Sequence, residues 1–147
     1  MNLTKSELGH LSEAALIRDL IANKYNVLKP CVGHNYKYDL VIEISQGVFK
    51  TVQVKTGLYR NGVVEFYCCC GSIAEGHDKG DYKGLIDFFG VFCPELNKSY
   101  LVPVDDVGCR SAYLRVEDAK VKSSRTRLAI NYELKLQCTS NGRSVSY

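Results

Sequence analysis

Apolar and polar positions recur along this chain in two rhythms, and the change from one to the other predicts most of its elements. Leu8, Leu11, Ala15 and Leu16, then Ile17, Leu20 and Ile21, form a broad apolar stripe at helical spacing. The helix is predicted from Thr4 to about Lys24. Thr4 and Glu7 form a capping box, with Ser6 as a second candidate cap. Asn23 or Asn26 is expected in the left-handed conformation that ends the helix. The rhythm then shortens to two. Val27-Leu28 is a short strand cut off by Pro30, and Tyr38–Ile44 and Val48–Thr56 are strands rich in β-branched residues. Ser45-Gln46-Gly47 predicts a three-residue hairpin loop with Gly47 at its left-handed position. Further strands are expected at Val63–Cys69, Asp87–Cys93, Ser99–Val104 and Ala112–Val116, with a turn at Pro94–Asn97. The glycine-bearing stretch Gly71–Gly84 reads as a loop. For Arg127–Leu136 the periodicity does not choose between helix and strand. The pattern predicts one helix packed on a mostly antiparallel or mixed β-sheet, an α/β (α+β) domain.

Length and composition narrow this little further. The 147 residues suit one domain, expected over 1–147, and 46% hydrophobic with 24% charged residues excludes wholesale disorder. Burial of roughly two-thirds of the unfolded chain's surface is expected at this size, so no covalent or metal staple is required. The apolar runs are too short to cross a bilayer, and the polar start lacks a signal peptide's apolar core. A cytoplasmic protein without a membrane partner is expected. Seven cysteines cannot all pair within one chain, and reduced thiols are expected. Cys68-Cys69-Cys70 lacks the second pair a structural zinc site needs, and no motif ties His10, His34 or His77 to a cysteine. The net charge of +3 is compatible with nucleic acid. Lys120 to Arg127 holds four basic residues and no acid, which suits either a phosphate-contacting surface or a solvated loop.

Candidate chemistry lies on the first two long strands. Alternation puts Asp39, Val41 and Glu43 on one face, and Phe49, Thr51, Gln53 and Lys55 on one face of the next strand. If Ile44 pairs with Val48, Asp39 stands opposite Gln53 with Lys55 a diagonal step away, at about 5 Å and about 7–8 Å between Cβ atoms. One reading is a surface Asp–Lys pair beside a glutamine. The other is a hard-metal site. Asp39 and the Gln53 amide oxygen would then ligate Mg2+ with the Val54 carbonyl, and Lys55 would orient or deprotonate an attacking water. Glu13, an acid amid the helix's apolar positions, is a further candidate.

The ordered set Gly9-x-x-x-Glu13, Tyr38-Asp39-Leu40-Val41-Ile42-Glu43 and Val52-Gln53-Val54-Lys55-Thr56 resembles the PD-(D/E)XK nuclease superfamily. Asp87-Phe88-Phe89 and Lys98 to Val104 make it most similar to the small group I intron-encoded homing endonucleases of that type. The resemblance covers roughly residues 5 to 135. It implies a restriction-endonuclease-like core, with the motif acid at Asp39, the lysine at Lys55 and the helix acid at Glu13. Gln53 stands where the pattern has its second strand acid, a departure shared by some active relatives, and Tyr38 stands in place of proline. The resemblance further implies a Mg2+-dependent endodeoxyribonuclease, with Mn2+ as a substitute, acting site-specifically on double-stranded DNA. A basic segment of about 110–135 would contact that DNA through Arg110, Arg115, Lys120, Lys122, Arg125 and Arg127. One site cuts one strand, so a homodimer or homotetramer is implied. The alternatives are a structure-selective nuclease similar to Holliday-junction resolvases and a catalytically inactive DNA-binding module of the same fold.

Overall fold

A computed structural model describes residues 2–32, 36–70, 80–117, 123 and 125–135. Helix α1 runs Lys5–Ala22. Its capping box forms: the Thr4 hydroxyl accepts from the Glu7 amide, and the Glu7 carboxylate accepts from the Thr4 amide at 2.8 Å. The helix ends differently from expectation. The Asn23 side chain donates to the Asp19 carbonyl at 2.8 Å, so Asn23 keeps a negative φ and Lys24 takes the left-handed conformation at φ +65°. The buried stripe is also rotated from the expected one. Ser12, Ala15, Leu16, Asp19 and Leu20 face inward, while Leu11 and Ile21 are exposed. Two polar groups lie on the inner face because each finds partners there. The Ser12 hydroxyl bonds Thr56 Oγ1 at 2.7 Å and donates to the Leu8 carbonyl, and Asp19 accepts from Ser99 Oγ and Arg18 Nε.

The strands are β1 (Asn26–Leu28), β2 (Leu40–Ser45), β3 (Val48–Thr56), β4 (Leu58–Arg60), β5 (Val63–Tyr67), β6 (Cys69–Cys70), β7 (Gly80–Asp81), β8 (Phe88–Cys93), β9 (Lys98–Pro103) and β10 (Ser111–Arg115). Five form a central mixed sheet in the order β1-β2-β3-β8-β9, where only β3 and β8 run parallel. The helix covers one face, packing Leu16 and Leu20 on Leu40, Ile42 and Val52. Each such side chain, fully buried, contributes about 1.5–3 kcal/mol. Gly90 on β8 lets the helix approach: a Cβ there would lie 2.2 Å from Leu16 Cδ2 and 2.9 Å from Val52 Cγ1. On the other face, Phe89, Val91, Tyr100 and Val102 share a core with the three-stranded sheet β10-β5-β4. Phe66 of that sheet meets Phe89 at a ring separation of 5.7 Å. This is the expected fold class, a helix packed on a central mixed sheet.

Three strand expectations need correction. Ser45, not Ile44, pairs with Val48, and the connection is the two-residue turn Gln46-Gly47. The Glu43 carboxylate accepts from the Gly47 amide at 2.7 Å, which closes the turn and leaves the register irregularity at Ile44. The sequence reading omitted β4, although Asn61-Gly62 signals a tight hairpin and both residues have positive φ, 50° and 75°. Finally, Arg127–Leu136 holds neither long helix nor strand in its described part. It contains a short 3-10 turn, Ala129–Asn131, between two backbone bridges. Much of the Gly71–Gly84 stretch lies outside the described residues.

Candidate active site

The hairpin irregularity leaves the inner register intact. Leu40 pairs with Val52, which carries Asp39 opposite Gln53, and the Asp39 amide donates to the Val52 carbonyl at 2.9 Å. Three groups then converge at the open end of β2 and β3. Asp39 Oδ2 accepts from the Val54 amide at 2.8 Å and from Gln53 Nε2 at 2.6 Å. The same Gln53 nitrogen lies 3.3 Å from the Val54 carbonyl oxygen. Lys55 Nζ sits 4.9 Å above the Tyr82 ring and 3.4 Å from its hydroxyl. Across from the strands, Glu13 projects from α1, its carboxylate paired with Lys29.

Gly9, Glu13, Asp39, Val54, Lys55 and Thr56 line one open cleft of about 250 Å3. A larger depression of about 430 Å3 lies between the far end of α1 and β9, near Asp19, Lys98 and Glu133. There Asp19 is held by Ser99 and Arg18, and Lys98 pairs with Glu133. In the smaller cleft, burial pushes the Asp39 carboxyl above its ordinary pKa, and the Glu13 charge adds to this. The Val54 amide, Lys55 and Lys29 act in the opposite direction. Two carboxylates therefore face one small space, and the more buried of them holds its negative charge reluctantly.

A search of family models matches residues 3–135 to the PD-(D/E)XK endonuclease. The chain belongs to that family. No curated protein matches it. A solved structure, described as that of a bacterial homing endonuclease, I-Ssp6803I, is similar at 24% identity with a TM-score of 0.62. The match covers 89% of this chain and 87% of that one. The likeness speaks to the shared fold.

In this PD-(D/E)XK chain the donors around Asp39 are carboxylate, amide and carbonyl oxygens, which suit a hard divalent cation, and a cation would relieve the charge crowding at Asp39. The fit has one condition. Gln53 turns its nitrogen toward Asp39, so its amide must rotate to present Oε1. Among the described residues no group of three or more His, Cys, Asp or Glu side chains gathers.

The remaining sequence candidates are scattered. Arg110 is exposed beside the start of β10, and Arg115 ends that strand with Nη1 3.4 Å from the Asn61 carbonyl. Arg127 donates to the Asp106 carbonyl, while Arg125 is exposed nearby. Lys120 and Lys122 lie outside the described residues. Two buried cysteines carry little reactive character: burial pushes the Cys68 and Cys93 thiols up to about 11. Sequence reasoning missed Lys29, Tyr82 and the Ser12–Thr56 hydroxyl pair. Each meets the cleft through long-range packing, and only Tyr82 carried a local hint, its place beside the glycine-bearing loop. Among the described residues, no helix is long and apolar enough to cross a membrane.

Proposed function

We propose that this chain is a divalent-metal-dependent DNA endonuclease, a single nuclease domain over 1–147 that hydrolyses phosphodiester bonds in duplex DNA. The observation that carries the reading is the convergence of Asp39, Gln53 and Val54 at one sheet end, with Lys55 beside them and Glu13 across the same cleft. Asp39, the Gln53 amide oxygen, the Val54 carbonyl and Glu13 would hold Mg2+, or Mn2+ in its place. When bound, the cation supplies Lewis-acid polarisation of the phosphate and lowers the pKa of a water. The protein's own part is positional and electrostatic. The Val54 amide anchors Asp39, Lys29 holds Glu13 at the cleft where it would serve as a metal ligand, and Lys55 Nζ would hold or accept a proton beside the phosphate.

Arg110, Arg115, Lys120, Lys122, Arg125 and Arg127 are the residues proposed to steer the DNA by phosphate contact. Membership of the family and likeness to the structure of a bacterial homing endonuclease support site-specific cutting in that manner. A double-strand break would then need a second copy, as a homodimer or homotetramer. A second reading has its own observation: Gln53 spends its amide on Asp39 and Glu13 is already paired, as in a DNA-binding module without activity.

Mg2+ titration on plasmid, linear duplex and four-way junction separates the readings. Cleavage of the duplexes supports the proposal. Cutting of the junction alone would make the protein a structure-selective nuclease, and binding without cleavage would make it an inactive module.

A further inference from the structure

Among the described residues the three-stranded sheet leaves its outer face uncovered, and tyrosines and apolar side chains stand there beside charged ones. On β5, Val64 and Phe66 are buried, so Val63, Glu65 and Tyr67 point outward. On β10, Ala112 and Leu114 are buried, so Ser111, Tyr113 and Arg115 point outward. Leu58 and Arg60 of β4 join them through the pairs Leu58↔Glu65 and Arg60↔Val63. Tyr67 is 66% and Tyr113 49% exposed. The Tyr113 hydroxyl donates to Glu65 Oε1 at 3.1 Å and holds that carboxylate at the middle of the face.

We infer, on the basis of the nuclease reading above, that this face enters the major groove of duplex DNA and reads base edges through Glu65, Tyr67 and Tyr113. Four features carry the inference. The charge is complementary: Arg60 and Arg115 flank Val63 at one end of the face and outnumber its one acid, Glu65, while Glu117 beyond the strand end accepts from the Tyr59 hydroxyl. The dimensions agree: β10 spans four residue steps from Ser111 to Arg115, roughly 13 Å at strand rise, close to a groove about 12 Å wide. The chemistry also agrees. A carboxylate accepts from cytosine N4, an apolar side chain such as Leu58 or Val63 meets a thymine methyl, and tyrosine offers an amphipathic surface suited to a wet interface. Finally, β4 begins two residues after Thr56, so it follows in the chain directly on the strand that carries Lys55.

The test is selection of bound duplexes from a randomised pool by the full chain with Mg2+ omitted, followed by a salt titration of the enriched sequence. Wild type is expected to enrich a preferred sequence. Glu65→Gln and Tyr67→Ala, at half-buried and exposed positions, should each weaken discrimination at particular base positions by about five- to a hundredfold and leave the salt dependence intact. Arg60→Gln with Arg115→Gln should weaken binding to every sequence and flatten the log–log salt slope by roughly 0.9 per lost phosphate contact. The inference is overturned if wild type enriches nothing, or if Glu65→Gln and Tyr67→Ala both retain the wild-type preference. Failure of the nuclease reading looks different: no DNA is cut with Mg2+, whatever this face binds.

Discussion

Gln53→Glu probes the feature that sets this cleft apart from a cluster of carboxylates. In the folded chain Gln53 Nε2 donates to Asp39 Oδ2 at 2.6 Å. The substitution replaces that donor with a second carboxylate against a half-buried one already crowded by Glu13. Two unit charges about 4 Å apart repel by about 4 kcal/mol at an effective dielectric of about 20. Sharing one proton between the acids limits the penalty, so the metal-free variant should lose about 2–4 kcal/mol at neutral pH. The sign with pH follows. A carboxyl pair whose folded pKa is raised binds more protons folded than unfolded, so stability falls as pH rises. The deficit should be absent below about pH 4, where unfolded carboxyls are protonated, and should grow through the pair's folded value. Mg2+ should reverse it, adding about 2.7 kcal/mol at a hundredfold excess over Kd. The assay is urea unfolding in EDTA and across a Mg2+ titration, repeated over pH. A variant as stable as wild type in EDTA at neutral pH, and indifferent to Mg2+, would refute the arrangement.

Other positions give simpler outcomes. Glu13→Gln should reduce Mg2+-dependent cleavage more than Gln53→Glu does, because it leaves Asp39 as the lone carboxylate in the cleft; equal activity to wild type across a metal titration would remove Glu13 from the site. Gly90→Ala places a Cβ 2.2 Å from Leu16 Cδ2 and should cost about 1–3 kcal/mol, read as a lower urea midpoint. Burial works to raise the Asp87 pKa, but the Thr51 amide, the Lys50 ammonium and the Thr51 hydroxyl together hold it below the carboxylate range. Its contribution is therefore present above about pH 4 and lost as pH falls through the folded value. Asp87→Asn should be less stable than wild type at neutral pH and converge with it in acid.

The parts of the fold legible in sequence were those fixed by local periodicity. The Thr4–Glu7 box marked the start of α1, and two-residue alternation placed Asp39 opposite Gln53 although the loop between the strands was read one residue too long. That error was harmless because the irregularity at Ile44 absorbs it before the register reaches Asp39. The buried stripe of α1 was less legible. Ser12 and Asp19 look like surface residues until their partners Thr56 and Ser99 arrive from 44 and 80 positions away. Lys29 beside Glu13 and Tyr82 beside Lys55 were hidden for the same reason. Strand β4 was missed because three residues carry almost no periodicity, even with Asn61-Gly62 following them. The outward set on β5 and β10 depends on which face the central sheet covers, and that is decided only by tertiary packing.

The central claim rests on Asp39. The most direct measurement follows Mg2+-dependent cleavage of a supercoiled plasmid by wild type and by Asp39→Asn, each also in EDTA, with DNA binding recorded in parallel. The expected result is cleavage by wild type with Mg2+ alone. The variant should cut nothing while binding DNA as tightly or more tightly, because a negative charge facing phosphate is gone. Undiminished nicking by pure Asp39→Asn protein, or binding without cleavage by wild type at every Mg2+ and Mn2+ concentration, would contradict it.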